Sequence, residues 1–197
     1  MKQLVLATNN RHKIQEIKTL LKELEIEILT TQDIPNLPPL VEDGSTFKDN
    51  ALKKARTVHQ YSKLPALADD SGLEVFYLNL RPGVLSARYA GERASDEQNN
   101  RKLLLELRGV APRRRLAQFR SLIAFVANGI EEATEGICTG RIGEEPRGTN
   151  GFGYDPLFIP DGFTRTYAEL TGEEKNAISH RSKSLQKMVE ILKEKLR

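Results

Sequence analysis

Leu4-Val5-Leu6-Ala7-Thr8-Asn9-Asn10-Arg11-His12-Lys13-Ile14 decides the fold class. Four apolar residues in succession fit a strand covered on both faces. A polar loop from Thr8 to His12 follows. Ile14, Ile17, Leu21 and Leu24 then recur at helical spacing. The chain therefore opens as strand, loop and helix.

Working outward, Ile26, Ile28 and Thr30 alternate and predict a second strand. Ile34-Pro35-Asn36-Leu37-Pro38-Pro39 is a rigid loop without helix propensity. Thr46 and Asp49 read as a capping box for a helix whose apolar face is Phe47, Ala51, Ala55 and Val58. Leu64 to Ala68 reads as a strand that ends at Asp69-Asp70-Ser71-Gly72, and Leu73 to Leu78 as another strand. Ser95 with Gln98 caps a helix to Leu107, with Gly109 just past it. Leu116 to Ala127, Asn128-Gly129 and Ile130 to Ile142 read as a hairpin. After a glycine-rich stretch from Gly148 to Gly153, Leu157 to Ile159 is a strand. Ile178, Leu185, Val189, Leu192 and Leu196 form one helical stripe. A βα opening with a later hairpin predicts an α/β fold, a mixed β-sheet flanked by helices. No repeat or long linker separates independent domains, so residues 1–197 read as a single domain, or one domain folded as two lobes.

The composition agrees with a packed core. Of 197 residues, 39% are hydrophobic, which excludes wholesale disorder. Lys plus Arg is 30 and Asp plus Glu is 27, giving a net charge of +3. That balance argues against a dedicated nucleic-acid binder. No apolar run approaches the ~20 residues needed to cross a bilayer. The opening residues turn polar too soon for a signal peptide. The single cysteine, Cys138, excludes an intrachain disulfide and a cysteine-based zinc cluster. A reduced, cytoplasmic setting is the expectation.

Three places carry chemistry. In Ala68-Asp69-Asp70-Ser71-Gly72, two adjacent carboxylates stand at the predicted end of a strand, where α/β folds place their sites. Side chains alternate along a strand, so Asp69 and Asp70 do different jobs. The same residue types also make ordinary solvated turns. Glu42-Asp43-Gly44 is a second acidic turn. With Asp70, its Glu42 would offer hard oxygen ligands to Mg²⁺. Thr8 to Lys13, between strand and helix, suits a phosphate group, although Thr8 or Asn9 as a plain helix cap accounts for it equally. It is not a Walker A loop.

The remaining motifs are weaker singly. Gly151-Phe152-Gly153-Tyr154-Asp155-Pro156 joins flexible backbone to two aromatic rings, as a base-stacking loop or as a turn with core aromatics. Lys175, Ser179, His180 and Arg181 form a polar cluster entering the last helix. Arg113-Arg114-Arg115 has no interleaved aromatics and reads as a solvated loop.

Taken in order, Ala7 to Asn10 with Lys13, Glu42-Asp43-Gly44 with Thr46-Phe47, Ala68 to Leu73, Pro82-Gly83-Val84 with Ser86 to Gly91, Gly151 to Pro156, and Lys175 with Ser179-His180-Arg181 resemble the RdgB-type inosine triphosphate pyrophosphatase family. The resemblance runs end to end. Asn150 departs from it, standing where many members carry a glycine. A Maf-like nucleotide pyrophosphatase, of related fold, is the alternative. Thr8-Asn9-Asn10 with Lys13 argues against it, because that family opens with a serine-rich, arginine-paired loop.

The resemblance implies an elongated mixed sheet with helices, in two lobes around a nucleotide-binding cleft. It implies a cytoplasmic, Mg²⁺-dependent homodimer that binds neither nucleic acid nor membrane. The implied reaction is hydrolysis of dITP, ITP and XTP to the monophosphate and pyrophosphate. Carried over residue by residue, Asp70 is the general base and a metal ligand, and Glu42 the second ligand. Thr8, Asn9, Asn10, Arg11, His12, Lys13 and Ser71 hold the triphosphate. Phe152, Gly153, Tyr154, Asp155, Lys175, His180 and Arg181 surround the base and sugar-phosphate. Arg181 opposite the C6 oxygen would favour hypoxanthine and xanthine, since a guanidinium cannot accept from the amino group of adenine.

Overall fold

The computed structural model describes residues 2–196. Its strands are β1 (Lys2–Leu6), β2 (Ile26–Thr30), β3 (Ala66–Val75), β4 (Leu116–Ala127), β5 (Ile130–Ile142) and β6 (Phe158–Pro160). They join one sheet in the order β2-β1-β3-β4-β5-β6. β1 lies parallel to β2 and to β3, with Leu4 opposite Ile28 and Leu6 opposite Leu67. β5 and β6 are antiparallel, with Arg141 opposite Ile159. The helices are α1 (Arg11–Leu20), α2 (Phe47–Ser62), α3 (Asp96–Glu106), α4 (Gly172–Ile178) and α5 (His180–Lys195). The fold is thus the mixed α/β sheet with helices that the sequence predicts.

Local sequence explains the frame. The whole of β1 from Leu4 onward is buried, as its unbroken apolar run requires. Thr46 caps α2 by accepting from the Asp49 N–H at 3.1 Å. Ser95 and Gln98 form a full capping box on α3. β4 and β5 are joined by Asn128-Gly129, and Gly129 takes φ +74°, a value a side chain would resist.

The chain divides into two compact units. The first comprises the described residues of Met1–Asp70, Ser121–Gly136 and Arg181–Arg197, the second Ser71–Arg120 and Ile137–His180. The core of the first packs Leu4, Leu6 and Leu67 with Ile17, Phe125, Leu185 and Leu192. The core of the second packs Leu73, Val75, Leu103, Phe158 and Tyr167 around Phe119. Phe119 meets the edge of Phe158 with ring centroids 4.8 Å apart.

Four local expectations are corrected. Asp69-Asp70-Ser71-Gly72 is not a turn between two strands, because β3 runs through it to Val75. The buried cations Arg181 and Lys54 meet Asp69 and Asp70 respectively, so the strand need not break to reach water. Beyond Val75 the chain forms a 3-10 turn at Phe76–Leu78 rather than more strand. The C-terminal stripe is split at Ser179, which is extended between α4 and α5. Ile178 therefore packs on the second core, while Leu185, Met188 and Leu192 sit in the first. Finally, Arg113 and Arg114 are exposed but Arg115 is buried, so the arginine triplet is not a uniformly solvated loop.

Candidate active site

The first unit gathers an acidic pair around a buried lysine. Lys54 on α2 is 3% exposed. Its Nζ donates to Glu42 Oε1, to Asp70 Oδ1 at 2.9 Å and to the Asp69 carbonyl at 2.8 Å. Asn50, one turn earlier, donates from Nδ2 to Asp70 Oδ2 at 3.2 Å. Its Oδ1 accepts from the Gly44 N–H at 2.7 Å. Asn50 and Lys54 share one face of α2 because they are four residues apart. The small, fully buried Ala51 and Ala55 let that face sit close to its neighbours. One helix thereby fixes both oxygens of Asp70 and anchors the loop that carries Glu42.

The electrostatics set these carboxyls apart. Burial pushes Asp70 above the ordinary carboxylate range, and the charge of Glu42 adds to this against the pull of Lys54 and Lys13. Burial is the largest influence on Glu42 and acts in the same sense, but the charge and hydrogen bond of Lys54, with the Lys13 charge and a hydrogen bond from Asp70, together outweigh it and hold Glu42 low. Lys54 is raised, because Asp70 and Glu42 outweigh its own desolvation.

Asp69 points the other way, as β alternation demands. It is fully buried. Lys13 Nζ lies 2.7 Å from its Oδ2, Arg181 Nη2 3.3 Å, and Ser121 Oγ donates to Oδ1 at 2.7 Å. Burial opposes ionisation, yet Arg181 and Lys13 hold this carboxyl well below the usual range. Arg181 is itself 2% exposed, with Nη1 on Glu16. Its Nε, Nη1 and Nη2 each donate to one of these two carboxylates, so the guanidinium that the resemblance assigns to the base also serves as the counter-ion of Asp69 and Glu16.

The loop before α1 is held by its own side chains. Thr8 is buried and accepts from the Asn10 N–H at 3.2 Å. Asn9 pairs with Thr31. Asn10, rather than Thr8 or Asn9, caps α1, accepting from His12 and Lys13 N–H groups at 3.0 and 3.1 Å. Arg11 and His12 are exposed.

The second unit holds the aromatic loop. Asp155 is buried and accepts from the Phe152 N–H at 3.0 Å and from Lys175 Nζ at 2.7 Å. Lys175 also stands over the Phe152 ring, 5.1 Å from its centroid. Gly151 takes φ +76°, and a Cβ there would overlap the Asp155 carboxylate. The Tyr154 hydroxyl is buried and donates to the Ser86 carbonyl at 2.9 Å. Gly153 is gripped on both sides by α3: its N–H donates to Asp96 Oδ2 at 2.6 Å, and its carbonyl accepts from Asn100 Nδ2 at 2.9 Å. His180 stacks on Phe119 with centroids 4.8 Å apart. Ser71 is half-buried on β3.

The structure thus brings Glu42 and Asp70 together in the first unit, and Phe152, Asp155 and Lys175 together in the second. Sequence reading missed Asn50, Lys54, Glu16, Ser121, Asp96 and Asn100. For Asn50 and Lys54 a signal existed: polar residues four apart, interleaved with the apolar face of a helix. Among the described residues, no group of three or more His, Cys, Asp or Glu side chains forms a metal cage. Mg²⁺ needs none, since it is held by one or two carboxylates plus waters and phosphates. Glu42 and Asp70, both within reach of one ammonium, fit that donor chemistry.

Known proteins resemble this chain over nearly its whole length. The family model of the Ham1 family matches residues 4–191. The dITP/XTP pyrophosphatase of Geobacter sulfurreducens is 50% identical over 186 residues, covering 94% of each chain. That of Desulforamulus reducens is 49% identical, covering 96% of this chain and 94% of its own. A HAM1 protein from Coxiella burnetii superimposes with a TM-score of 0.90 at 43% identity, over 98% of this chain and all of that one.

Proposed function

This chain belongs to the Ham1 family, and from that premise we propose that it hydrolyses dITP, ITP and XTP to the nucleoside monophosphate and pyrophosphate, with Mg²⁺ as cofactor. It is a nucleoside triphosphate pyrophosphohydrolase that keeps deaminated purines out of DNA and RNA. It works as a cytoplasmic homodimer. The observation that carries the reading is the convergence of Glu42 and Asp70 on the ammonium of Lys54.

In this reading the attacking water meets the α-phosphorus and pyrophosphate leaves in line. Asp70 takes the proton from that water. Asn50 and Lys54 hold both of its oxygens, so its position does not drift during the transfer. Glu42 and Asp70 would hold Mg²⁺, which when bound supplies positive charge for the phosphate oxygens. The loop of Thr8 to Lys13 and Ser71 binds the triphosphate. Phe152 stacks the base, with Lys175 fixed beside it by Asp155. Gly153, Tyr154 and His180 shape that loop and its support. The test is a pyrophosphate-release assay over normal and non-canonical triphosphates, with and without Mg²⁺. Activity on dITP, ITP and XTP that EDTA abolishes is expected. Release of single phosphates, or activity indifferent to EDTA, overturns it.

A further inference from the structure

A cavity with a volume of about 900 Å³ is lined entirely by residues of the second unit. That size suits a small organic ligand. Its walls come from α3, from the segment leading into β4, and from the glycine-rich loop, Phe152 and Gly153 included. Leu104, Leu107, Val110, Pro112 and Pro156 make much of it apolar.

Beside these apolar walls the fold places a cation with one buried hydrogen-bond donor unmade. Arg115 lines the cavity and is only 5% exposed. Among the described residues its Nε has no hydrogen-bond partner. The Glu144 carboxylate that faces it is 3.9 Å from Nη1 and 72% exposed, too far and too solvated to neutralise a buried charge. Burial accordingly pushes the Arg115 guanidinium down, where the buried Arg181 with two close carboxylates is pushed up. A second orphan lies in the same wall. Asn100 is 7% exposed and its Oδ1 has no partner, although its Nδ2 is used on Gly153. Leaving a buried donor or acceptor unmade costs on the order of 1–3 kcal/mol, more for a charged group. Native folds keep such groups where something else completes them.

We infer that this cavity binds a small molecule with an oxyanion for Arg115, a hydroxyl or N–H for Asn100 Oδ1, and an apolar body against Leu104, Leu107 and Pro156. A carboxylate and a phosphate ester share this chemistry, because both match the guanidinium fork. Glu42 and Asp70 do not line this cavity, while Phe152 and Gly153 of the proposed base-binding loop form part of its wall.

The inference is tested on the full chain, labelled with ¹⁵N-arginine, by following the Arg115 Nε–Hε resonance. Salicylate, phenyl phosphate, inorganic phosphate and benzyl alcohol serve as probes. A saturable shift with salicylate or phenyl phosphate, and none with benzyl alcohol, is expected. The two anions tell a carboxylate site from a phosphate site, and inorganic phosphate shows how much the apolar body adds. Calorimetry should find at least tenfold weaker binding of the preferred anion in Arg115→Gln, and unchanged binding in Arg113→Gln, an exposed neighbour. Ala111→Trp, which keeps the cation but obstructs the cavity, should also weaken binding. No saturable shift with any anion overturns the inference. So does an equal response to benzyl alcohol, or anion binding unchanged in Ala111→Trp.

Discussion

Asp69 and Asp70 are consecutive on β3, yet their carboxylates are held by different cations: Asp69 by Lys13 and Arg181, Asp70 by Lys54. The alternation of a strand turns one backbone step into two functions. Asp69 is a buried strut, and Asp70 is the reacting group. Replacing each by Asn should separate them. Asp69→Asn leaves Arg181 and Lys13 without their shared partner and should cost about 3–5 kcal/mol of stability. Asp70→Asn removes a carboxyl that burial already disfavours, so its melting temperature should stay near that of the parent. Its turnover should fall by about 10²–10⁴. Urea denaturation and pyrophosphate release, run on both variants, check this. Equal stability losses would defeat the division of labour.

Lys54 is the hinge of the acidic pair. Without it, the buried Asp70 and the half-exposed Glu42 face one another without the cation they share. Lys54→Met should therefore destabilise the fold by about 3–5 kcal/mol. A Glu42→Gln/Lys54→Met double variant should recover part of that loss, because one of the two stranded charges is gone. A full double-mutant cycle by thermal melting measures it, and strict additivity of the two losses would show that the three groups do not act together.

Arg181 meets Asp69 and Glu16 through all three of its nitrogens. Its role at the base is thus separable from its role as counter-ion. Arg181→Lys keeps one charge opposite Asp69 but loses the fork. If the guanidinium reads the C6 oxygen, the ITP-to-ATP ratio of kcat/KM should fall about tenfold or more, in line with ~1–3 kcal/mol for a lost directional contact. An unchanged ratio with lowered stability would leave Arg181 purely structural.

The boundary between what was legible and what was not follows the range of the interactions. β1, the cap at Thr46 and the Asn128-Gly129 turn are written in neighbouring residues; the strand and the turn stand as read, and Thr46 caps α2 while the Asp49 carboxylate accepts from the Thr46 hydroxyl instead of closing the box. Asp69-Asp70-Ser71-Gly72 has the composition of a turn, and local propensity made it one. The cations that keep it in a strand come from far away: Lys54 is 16 residues from Asp70, and Arg181 is 112 from Asp69. Long-range pairing of this kind leaves no local trace. Arg115 shows the same limit, since nothing in three consecutive arginines says which one is buried.

Gly151 offers a test of the aromatic loop alone. Its φ of +76° and the Asp155 carboxylate beside it leave no room for a methyl group. Gly151→Ala should displace Asp155 and with it Lys175, raising KM for ITP more than it lowers kcat. The strain should cost about 1–3 kcal/mol. Steady-state kinetics beside a melting curve check it, and a fall confined to kcat would mean that the loop acts in the chemical step instead.

Stability should also have an alkaline limit set by two buried phenols. Burial pushes Tyr154 far above its ordinary value, and Tyr89 is raised by burial and by the Glu106 carboxylate that accepts its hydroxyl at 2.6 Å. The unfolded chain ionises these groups near pH 10, but the folded chain does not. A group raised in the folded state contributes stability that is present below its unfolded pKa and lost as pH rises. The loss therefore begins around pH 10 and grows to the upper end of the accessible range. Tyr154→Phe removes one such group, so its curve of stability against pH should be flatter above pH 10. At neutral pH it should be less stable by about 0.5–1.5 kcal/mol, because the hydrogen bond to the Ser86 carbonyl is lost. Parallel loss curves for parent and variant above pH 10 would show that the alkaline limit lies elsewhere.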